Sequence, residues 1–409
     1  MSLHLEYIND GTAFREIDPM TINPESLTSF SIYERLPLKE NQYKFRILLT
    51  DPTTIPKQKL LKLLMFWDKV YIHKSQLRIF NRCLKNNIAY ILNHDDIDTA
   101  KKTDALVTIC TNELEQALKA NFSSLEVVQK ALDSIQSVIS QAIEFISDIN
   151  SLKGLANLIG HDYKTHTHSI KVGWLMTTFV NSNRDLFDIK NRSELKDLLI
   201  ESMVTGILHD IGKAKIPKNI INKKEALDNQ EYIILQSHPT NSLSILIDTD
   251  ISKSILQAIH YHHENEDGSG YPNGIKEDRI PIMAKICHIA DIFDAMTSKR
   301  SYKDRKSPYE ALKIMTKANP YLETLHKLEK EVKENKRTPI TAFVRDKYEN
   351  KLKRLREKEI IEEEARKRVE KRLKLQDQGM SHCFNADLLR RFIITINKSE
   401  SFHLSDLID

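Results

Sequence analysis

Eight apolar residues between Leu125 and Ile149 recur at intervals of 3, 4, 3, 4, 3, 4 and 3. Leu125, Val128, Leu132, Ile135, Ile139, Ala142, Ile146 and Ile149 therefore line one side of a continuous helix. A strict seven-residue repeat favours a coiled-coil seam, because the stripe of a plain surface helix drifts toward a 3.6-residue repeat. Val127, Val138, Ile143 and Phe145 widen the stripe beyond a two-stranded seam. Two readings stay open: a stalk that makes a homodimer through residues 125–149, and a helix packed inside its own chain. Either way the helix divides the 409 residues into unlike halves.

Residues 1–120 predict a small mixed α/β domain, a candidate regulatory unit. Short β-branched or aromatic runs at Phe45–Leu49, Val70–Ile72 and Ala89–Leu92 read as strands, and Lys57–Trp67 and Gln76–Lys85 as helices. Asp51 follows a strand but has no acidic pair before it, so it reads as a turn residue ahead of Pro52. Residues 121–152 form the linker helix. Residues 153–317 are a helical series interrupted by Pro217, Pro239, Pro272, Pro281 and Pro308, with a capping-box pattern at Asp228 and Glu231. The expected class is mainly α.

From about residue 318 to 378 the composition changes. Leu322 to Gln378 has no glycine and a net charge of +5, with a narrow apolar stripe from Val344 to Leu373. A long, charge-laced helical arm is expected there, its basic excess being a solvated face. Residues 379–409 hold a short amphipathic helix, Phe384–Ile396, and a tail.

Net charge over the whole chain is only +4, which gives no reason to expect nucleic acid as a partner. No apolar run reaches the roughly 20 residues of a membrane span, and the first twelve residues lack an apolar signal region. The four cysteines are far apart with no Cys-x-x-Cys, so a reducing cytoplasm is the expected setting. Glycine and histidine are the informative residues. Eight of the ten glycines lie between Gly154 and Gly274, and nine of the fifteen histidines between His161 and His288. Histidine is the commonest metal ligand and glycine permits unusual backbone conformations, so chemistry is expected in this stretch.

Leu199, Met203, Gly206 and Asp210 share a helix face, which turns the Asp210 carboxylate inward beside His209. A buried carboxylate is costly unless a cation or a hydrogen-bond network satisfies it. His168 shares an apolar stripe with Val172, Leu175 and Phe179, where a lone histidine is more often a core residue than a ligand. His161 and His166 fall off that stripe and read as surface residues. His238 precedes Pro239 at a helix end. The run from His262 to Pro272 joins two adjacent histidines to acids, two glycines and Tyr-Pro; Gly268 and Gly270 would allow close backbone approach to a ligand, and Tyr271 offers a stacking face. In the next helix Ile286, Ile289, Phe293 and Met296 define a buried face, and Cys287, Asp291, Asp294 and Ser298 a more polar one.

His209-Asp210 with Lys213, then His262 to Pro272, then Asp291-x-x-Asp-Ala-x-Thr-Ser-x-Arg-x-Tyr302 resembles the HD-GYP family of cyclic-di-GMP phosphodiesterases, a branch of the HD phosphohydrolases. The resemblance covers about Leu152 to Lys317 and resumes at Gly379, which makes residues 318–378 an insertion in an all-helical domain. It implies two divalent metal ions. His168, His209, Asp210 and Asp291 would hold one; His238, His262 and His263 the other, with Asp210 bridging. Asp294 would accept a hydrogen bond behind a ligand. Lys171 stands where the family usually has Arg, and Lys164 stands where some members have a glutamate for a third metal. The nitrogen and oxygen ligand set suits iron or manganese.

The same resemblance implies hydrolysis of cyclic-di-GMP to pGpG or GMP, by attack of a hydroxide held between the metals. Lys213 and Asp210 would be catalytic. Gly268, Gly270, Tyr271 and Pro272 would position substrate, and Arg300 and Lys303 would hold phosphate. Two other readings are a non-catalytic cyclic-dinucleotide receptor and a phosphohydrolase for another nucleotide. The 318–378 arm is a candidate docking site for a protein partner.

Overall fold

The computed structural model describes residues 6–9, 11–24, 29–38, 42–119, 124–158, 165–223, 225, 227–298, 306–317, 353 and 379–398. The expected arm at 318–378, apart from Lys353, lies outside these residues, as do His161, Lys164, Arg300 and Lys303; the side chain of His166 is likewise outside the description. The chain forms two compact units, Met1–Ala120 with Lys130–Asn157, and Asn121–Gln129 with Leu158–Asp409.

The first unit is built on a five-stranded antiparallel sheet of order β1-β4-β3-β5-β2. Its strands are β1 (Glu6–Asn9), β2 (Phe14–Ile17), β3 (Ile32–Pro37), β4 (Tyr43–Leu49) and β5 (Val70–His73). One face carries an aromatic cluster of Phe14, Tyr33, Phe45 and Tyr71, with the rings of Phe14 and Phe45 stacked at 3.8 Å. Helices α1 (Lys57–Phe66), α2 (Leu77–Asn86), α3 (Ile88–Asn93) and α4 (Thr99–Lys119) complete the core. Asp51 caps a short turn, accepting from the Thr53 backbone and from the hydroxyls of Thr53 and Ser29.

Ala89–Leu92, read from the sequence as a strand, is part of α3. Ile88, Ile91 and Leu92 are the buried residues, an i, i+3, i+4 set that belongs to a helix. Asn87 joins it to α2, its side chain donating to the Cys83 carbonyl at 2.8 Å.

The heptad helix is α5 (Leu125–Ser147). Val128, Leu132, Ile135, Ile139, Ala142 and Ile146 are all buried within the single chain, and so are the flanking Val138 and Ile143. Six of the eight seam residues are thus covered within the chain, while Leu125 is exposed. Ser134 on this helix links Lys85 of α2 to Glu113 of α4. From Lys130 onward the helix belongs to the first unit, which ends within α6 (Ser151–Leu158).

The second unit is helical throughout its described residues. It comprises α7 (Thr165–Ser182), α8 (Arg192–Leu208), α9 (Lys218–Ile221), α10 (Asn229–Gln236), α11 (His238–Leu246), α12 (Lys253–Tyr261), α13 (Ile282–Thr297), α14 (Pro308–Thr316) and α15 (Ala386–Asn397). The predicted capping box forms at the start of α10, between Asp228 and Glu231. Trp174, Phe179, Met203, Phe293 and Phe392 are buried in its core.

One contact fixes where the site will be. Helices α7 and α8 touch backbone to backbone at Gly173 and Gly206; a Cβ on Gly206 would sit 2.2 Å from the Gly173 Cα. Only glycine fits such a crossing. His168 lies five residues before Gly173 and His209 three after Gly206, so the crossing draws the two imidazoles together at ring centroids 5.3 Å apart.

Candidate metal centre

Seven side chains converge on one buried region. His168 comes from α7, His209 and Asp210 from the end of α8, and Asp291 from the middle of α13. His238 opens α11, and His262 and His263 follow the last turn of α12. They fall into two groups of potential ligand atoms, one of Asp210, His238, His262 and His263, the other of His168, His209 and Asp291. Within each group the ligand atoms all lie within 4.8 Å of one another. Asp210 reaches both: its Oδ1 is 3.2 Å from His238 Nε2, and its Oδ2 is 3.3 Å from His209 Nε2 and 3.8 Å from His168 Nε2. Asp291 Oδ1 lies 3.0 Å from His168 Nε2 and its Oδ2 3.9 Å from His263 Nδ1.

The tautomers follow from the surroundings. His209 Nδ1 donates to the Gly206 carbonyl at 2.7 Å, His238 Nδ1 to Leu235 at 2.7 Å and His262 Nδ1 to Ile259 at 2.6 Å. His168 Nδ1 lies 2.7 Å from Asp294 Oδ2. A carbonyl or carboxylate can only accept, so each Nδ1 carries a proton and, in the form able to ligate, the ring turns a bare Nε2 toward the centre. His238 and His262 then face each other Nε2 to Nε2 at 3.4 Å, and the buried His209 Nε2 has no hydrogen-bond partner. Converging lone pairs and two carboxylates in a dry site repel unless a cation lies among them. The residues therefore fit divalent metal ions.

Without a cation, the two carboxylates draw on the nearby basic groups instead. Burial acts to raise the Asp210 carboxyl, but His209 and Lys213 outweigh it and hold the group well below the ordinary carboxylate range. Asp291 is likewise held low against its burial, chiefly by His168. Burial first, and then the neighbouring imidazoles, push His262 and His263 well below the usual histidine value, which keeps them neutral and able to ligate. Lys213, one turn after Asp210 and partly exposed, bonds directly to Asp210 Oδ2.

A second layer braces the ligands. Asp294 is buried and is held low by the Lys171 ammonium and by His168, against the upward push of burial. Lys171, itself buried, lies 3.7 Å from Asp294 Oδ1 and donates to Ser298 Oγ at 3.1 Å; Ser298 donates in turn to Asp294 at 3.1 Å.

Tyr271 stacks on His263 with centroids 4.7 Å apart and rings 29° from parallel. The loop glycines also shape the loop itself. Gly268 has φ +81°, and a Cβ on Gly270 would meet the His263 carbonyl at 2.4 Å and the Asn265 nitrogen at 2.3 Å. At Gly270 the loop folds closely against its own start. Glu264 completes the loop by accepting backbone N–H bonds from Asn273, Gly274 and Ile275 at 2.6, 3.1 and 3.1 Å.

Sequence reasoning gave no role to Glu264, Ser298 or His288, and treated Lys171 only as a departure from a pattern. Lys171 sat on the buried side of a helix beside His168, which was a usable signal. His288 donates from Nδ1 to the His262 carbonyl at 2.7 Å, a main-chain partner that no side-chain pattern announces.

Residues 186–322 match the family model described as HD domain. Over 176 residues the chain is 33% identical to a cyclic di-GMP phosphodiesterase of Pseudomonas aeruginosa, a match covering 42% of this chain and 40% of that protein. It is 37% identical over 179 residues to a cyclic di-GMP phosphodiesterase of Thermotoga maritima, covering 42% and 46%. It is 46% identical over 102 residues to the 3'3'-cGAMP-specific phosphodiesterase 2 of Vibrio cholerae, covering 24% and 19%. The matches span less than half the length of these relatives. No described helix is long and apolar enough to cross a membrane. Six of the seven convergent side chains fall inside the matched segment, His168 alone preceding it, and over this segment the chain resembles the HD domain family and these phosphodiesterases.

Proposed function

We propose that this chain is a metal-dependent phosphodiesterase that hydrolyses cyclic-di-GMP to pGpG or GMP. The observation that carries the reading is the commitment of the Nδ1 atoms of His168, His209, His238 and His262, which leaves their Nε2 lone pairs converging on Asp210 and Asp291. The names of the relatives supply the substrate class.

His168, His209 and Asp291 would hold one cation, His238, His262 and His263 the other, and Asp210 would join them. Two divalent cations there, iron or manganese by the character of the donors, would supply a nucleophile from water at neutral pH and positive charge for the phosphate. Asp210 stays ionised and neutralises part of that charge. Lys213, bonded to Asp210, would donate a proton to the leaving oxygen. Tyr271, held against His263, offers a flat face to a guanine base. Arg300 and Lys303 are proposed phosphate contacts from the sequence pattern alone.

A second substrate is favoured by a specific observation. The 46% identical relative bears the name of a 3'3'-cGAMP-specific enzyme. Metal-free protein reloaded anaerobically with Fe2+ or Mn2+ should be incubated with each cyclic dinucleotide and the products resolved by chromatography. Linear product from cyclic-di-GMP that requires added metal supports the proposal. Turnover of 3'3'-cGAMP alone moves the substrate assignment, and binding without turnover of either makes the protein a receptor.

A further inference from the structure

The chain returns at Gly379 beside the point where its described residues break off. Met380 N–H donates to the Ile314 carbonyl and Ser381 N–H to the Lys317 carbonyl, both at 3.1 Å. From this stem the returning segment runs onto the loop that carries His262 and His263. The Cys383 carbonyl accepts the Glu266 N–H at 3.1 Å. Asn385 Nδ2 donates to Glu266 Oε1 at 3.2 Å, the same oxygen that takes Lys285 Nζ at 2.9 Å. Phe384 packs on the ring of His288 with centroids 5.3 Å apart. His288 in turn holds the His262 carbonyl, and its ring lies edge-on to His263 at 6.2 Å.

None of these residues is among the seven potential ligands, and packing alone does not account for them. His288 keeps a buried Nε2 that has no hydrogen-bond partner among the described residues, which an apolar residue would avoid. What His288 gains is control of one peptide group. His262 and His263 are consecutive, so the carbonyl between them sets the direction of both rings. Ligand geometry must hold within about 0.5 Å for a site to work, and loops hold it less well than helices do.

We propose that Gly379–Asn385 is a strut for this loop, acting through two arms. The Phe384–His288 arm fixes the peptide between the two ligand histidines. The Asn385–Glu266–Lys285 arm fixes the loop that presents Tyr271. Glu266, His288, Phe384 and Asn385 are positioning residues for the metal centre and the substrate. The substrate half of this inference rests on the proposed phosphodiesterase reading; the metal half does not.

The test uses the full chain and two readouts, Mn2+ affinity by calorimetry and cyclic-di-GMP kinetics. His288→Phe keeps the ring against Phe384 but removes the N–H, and should weaken Mn2+ binding by about 10-fold or more. His288→Asn, whose amide N–H can stand where Nδ1 stood, should restore most of it. Should His288→Phe fail to fold, Phe384→Leu should shift affinity the same way to a smaller extent. Asn385→Ala and Glu266→Ala should raise KM by about 5- to 10-fold with little change in kcat, and the double variant should be no worse than Glu266→Ala alone. The control is Thr395→Val on the same closing helix. It breaks a buried bond to Asn183 (3.1 Å) that does not touch the loop. It should lower the melting temperature and leave Mn2+ affinity and KM alone. The strut is overturned if His288→Phe binds Mn2+ as the parent does, or if Thr395→Val reproduces the losses. If the parent does not hydrolyse cyclic-di-GMP, the substrate assignment falls, and the Mn2+ arm still decides the strut.

Discussion

The two ligand groups are neighbours, yet they are built by different means. His168, His209 and Asp291 sit within or at the end of the long helices α7, α8 and α13; behind His168 stand charged side chains, Asp294 and Lys171, and behind His209 the Gly206 carbonyl. His238, His262 and His263 sit where helices begin or end, and behind the first two stand main-chain carbonyls, those of Leu235 and Ile259. The first group is oriented inside a rigid crossing, with buried charge behind one of its histidines. The other is oriented by the way helix ends and a loop are folded. The difference predicts that the first group responds to single charge changes and the second to anything that moves the loop.

The largest expected effect comes from the residue that erases the comparison. Asp210 reaches both groups, so Asp210→Ala should cost both at once. Losing several kcal/mol of charge stabilisation corresponds to a rate loss of about a thousandfold or more. Metal analysis of the purified variant should show both positions depleted. A variant that keeps half of the metal and most of its turnover would mean that Asp210 serves one group only.

Asp294→Ala separates the groups. It removes the acceptor behind His168 and strands the buried Lys171 ammonium. The expected result is a loss of about 10- to 100-fold in affinity at one metal position, with the other nearly unchanged. A two-site Mn2+ titration reads this directly, and equal weakening of both sites would dissolve the distinction. Lys171→Met strands the opposite partner. Breaking one side of a buried ion pair costs about 3 kcal/mol, so unfolding by urea should show a reduced midpoint at an unchanged slope.

Much of this contrast was legible in the sequence, and the unread part has a common cause. The spacing of Leu199, Met203, Gly206 and Asp210 turned the carboxylate inward, and Asp210 is buried in the fold. The signature from His262 to Pro272 was legible because its histidines, glycines and Tyr-Pro are consecutive. The heptad of α5 revealed a helix but not what would cover it, since a seam says nothing about whose residues lie opposite. Ala89–Leu92 was misread because four apolar residues fit either period, and only burial of Ile88, Ile91 and Leu92 tells them apart. β2 and β3 escaped because charged residues interrupt their short apolar pattern, as Arg15 and Glu16 do in Phe14–Ile17. His288 was missed because it binds backbone 26 residues away, and Glu264 because its partners are peptide groups of its own loop. A side chain whose partner is a peptide group leaves no spacing to read.

The smallest expected effect concerns acid and sharpens the contrast from the loop side. In the metal-free chain His262 and His263 are held neutral, by burial first and then by neighbouring imidazoles. Their ordinary value is 6.5, and the unfolded chain takes up protons there. The folded chain takes them up only at much lower pH. Between those points the unfolded state binds more protons, so the stabilisation present above about pH 6.5 is lost as pH falls. Asp210 and Asp291 are also depressed, but from 3.8, so their window opens only in stronger acid. A fall in melting temperature on the order of 5 °C between pH 7 and pH 5 is expected from the histidines. It should shrink in a His263→Gln variant, which has one fewer proton to take up. A metal-free protein whose melting temperature is flat across that range would show that these two rings are already charged or already exposed. The loop would then not hold them in the dry, neutral state that ligation needs.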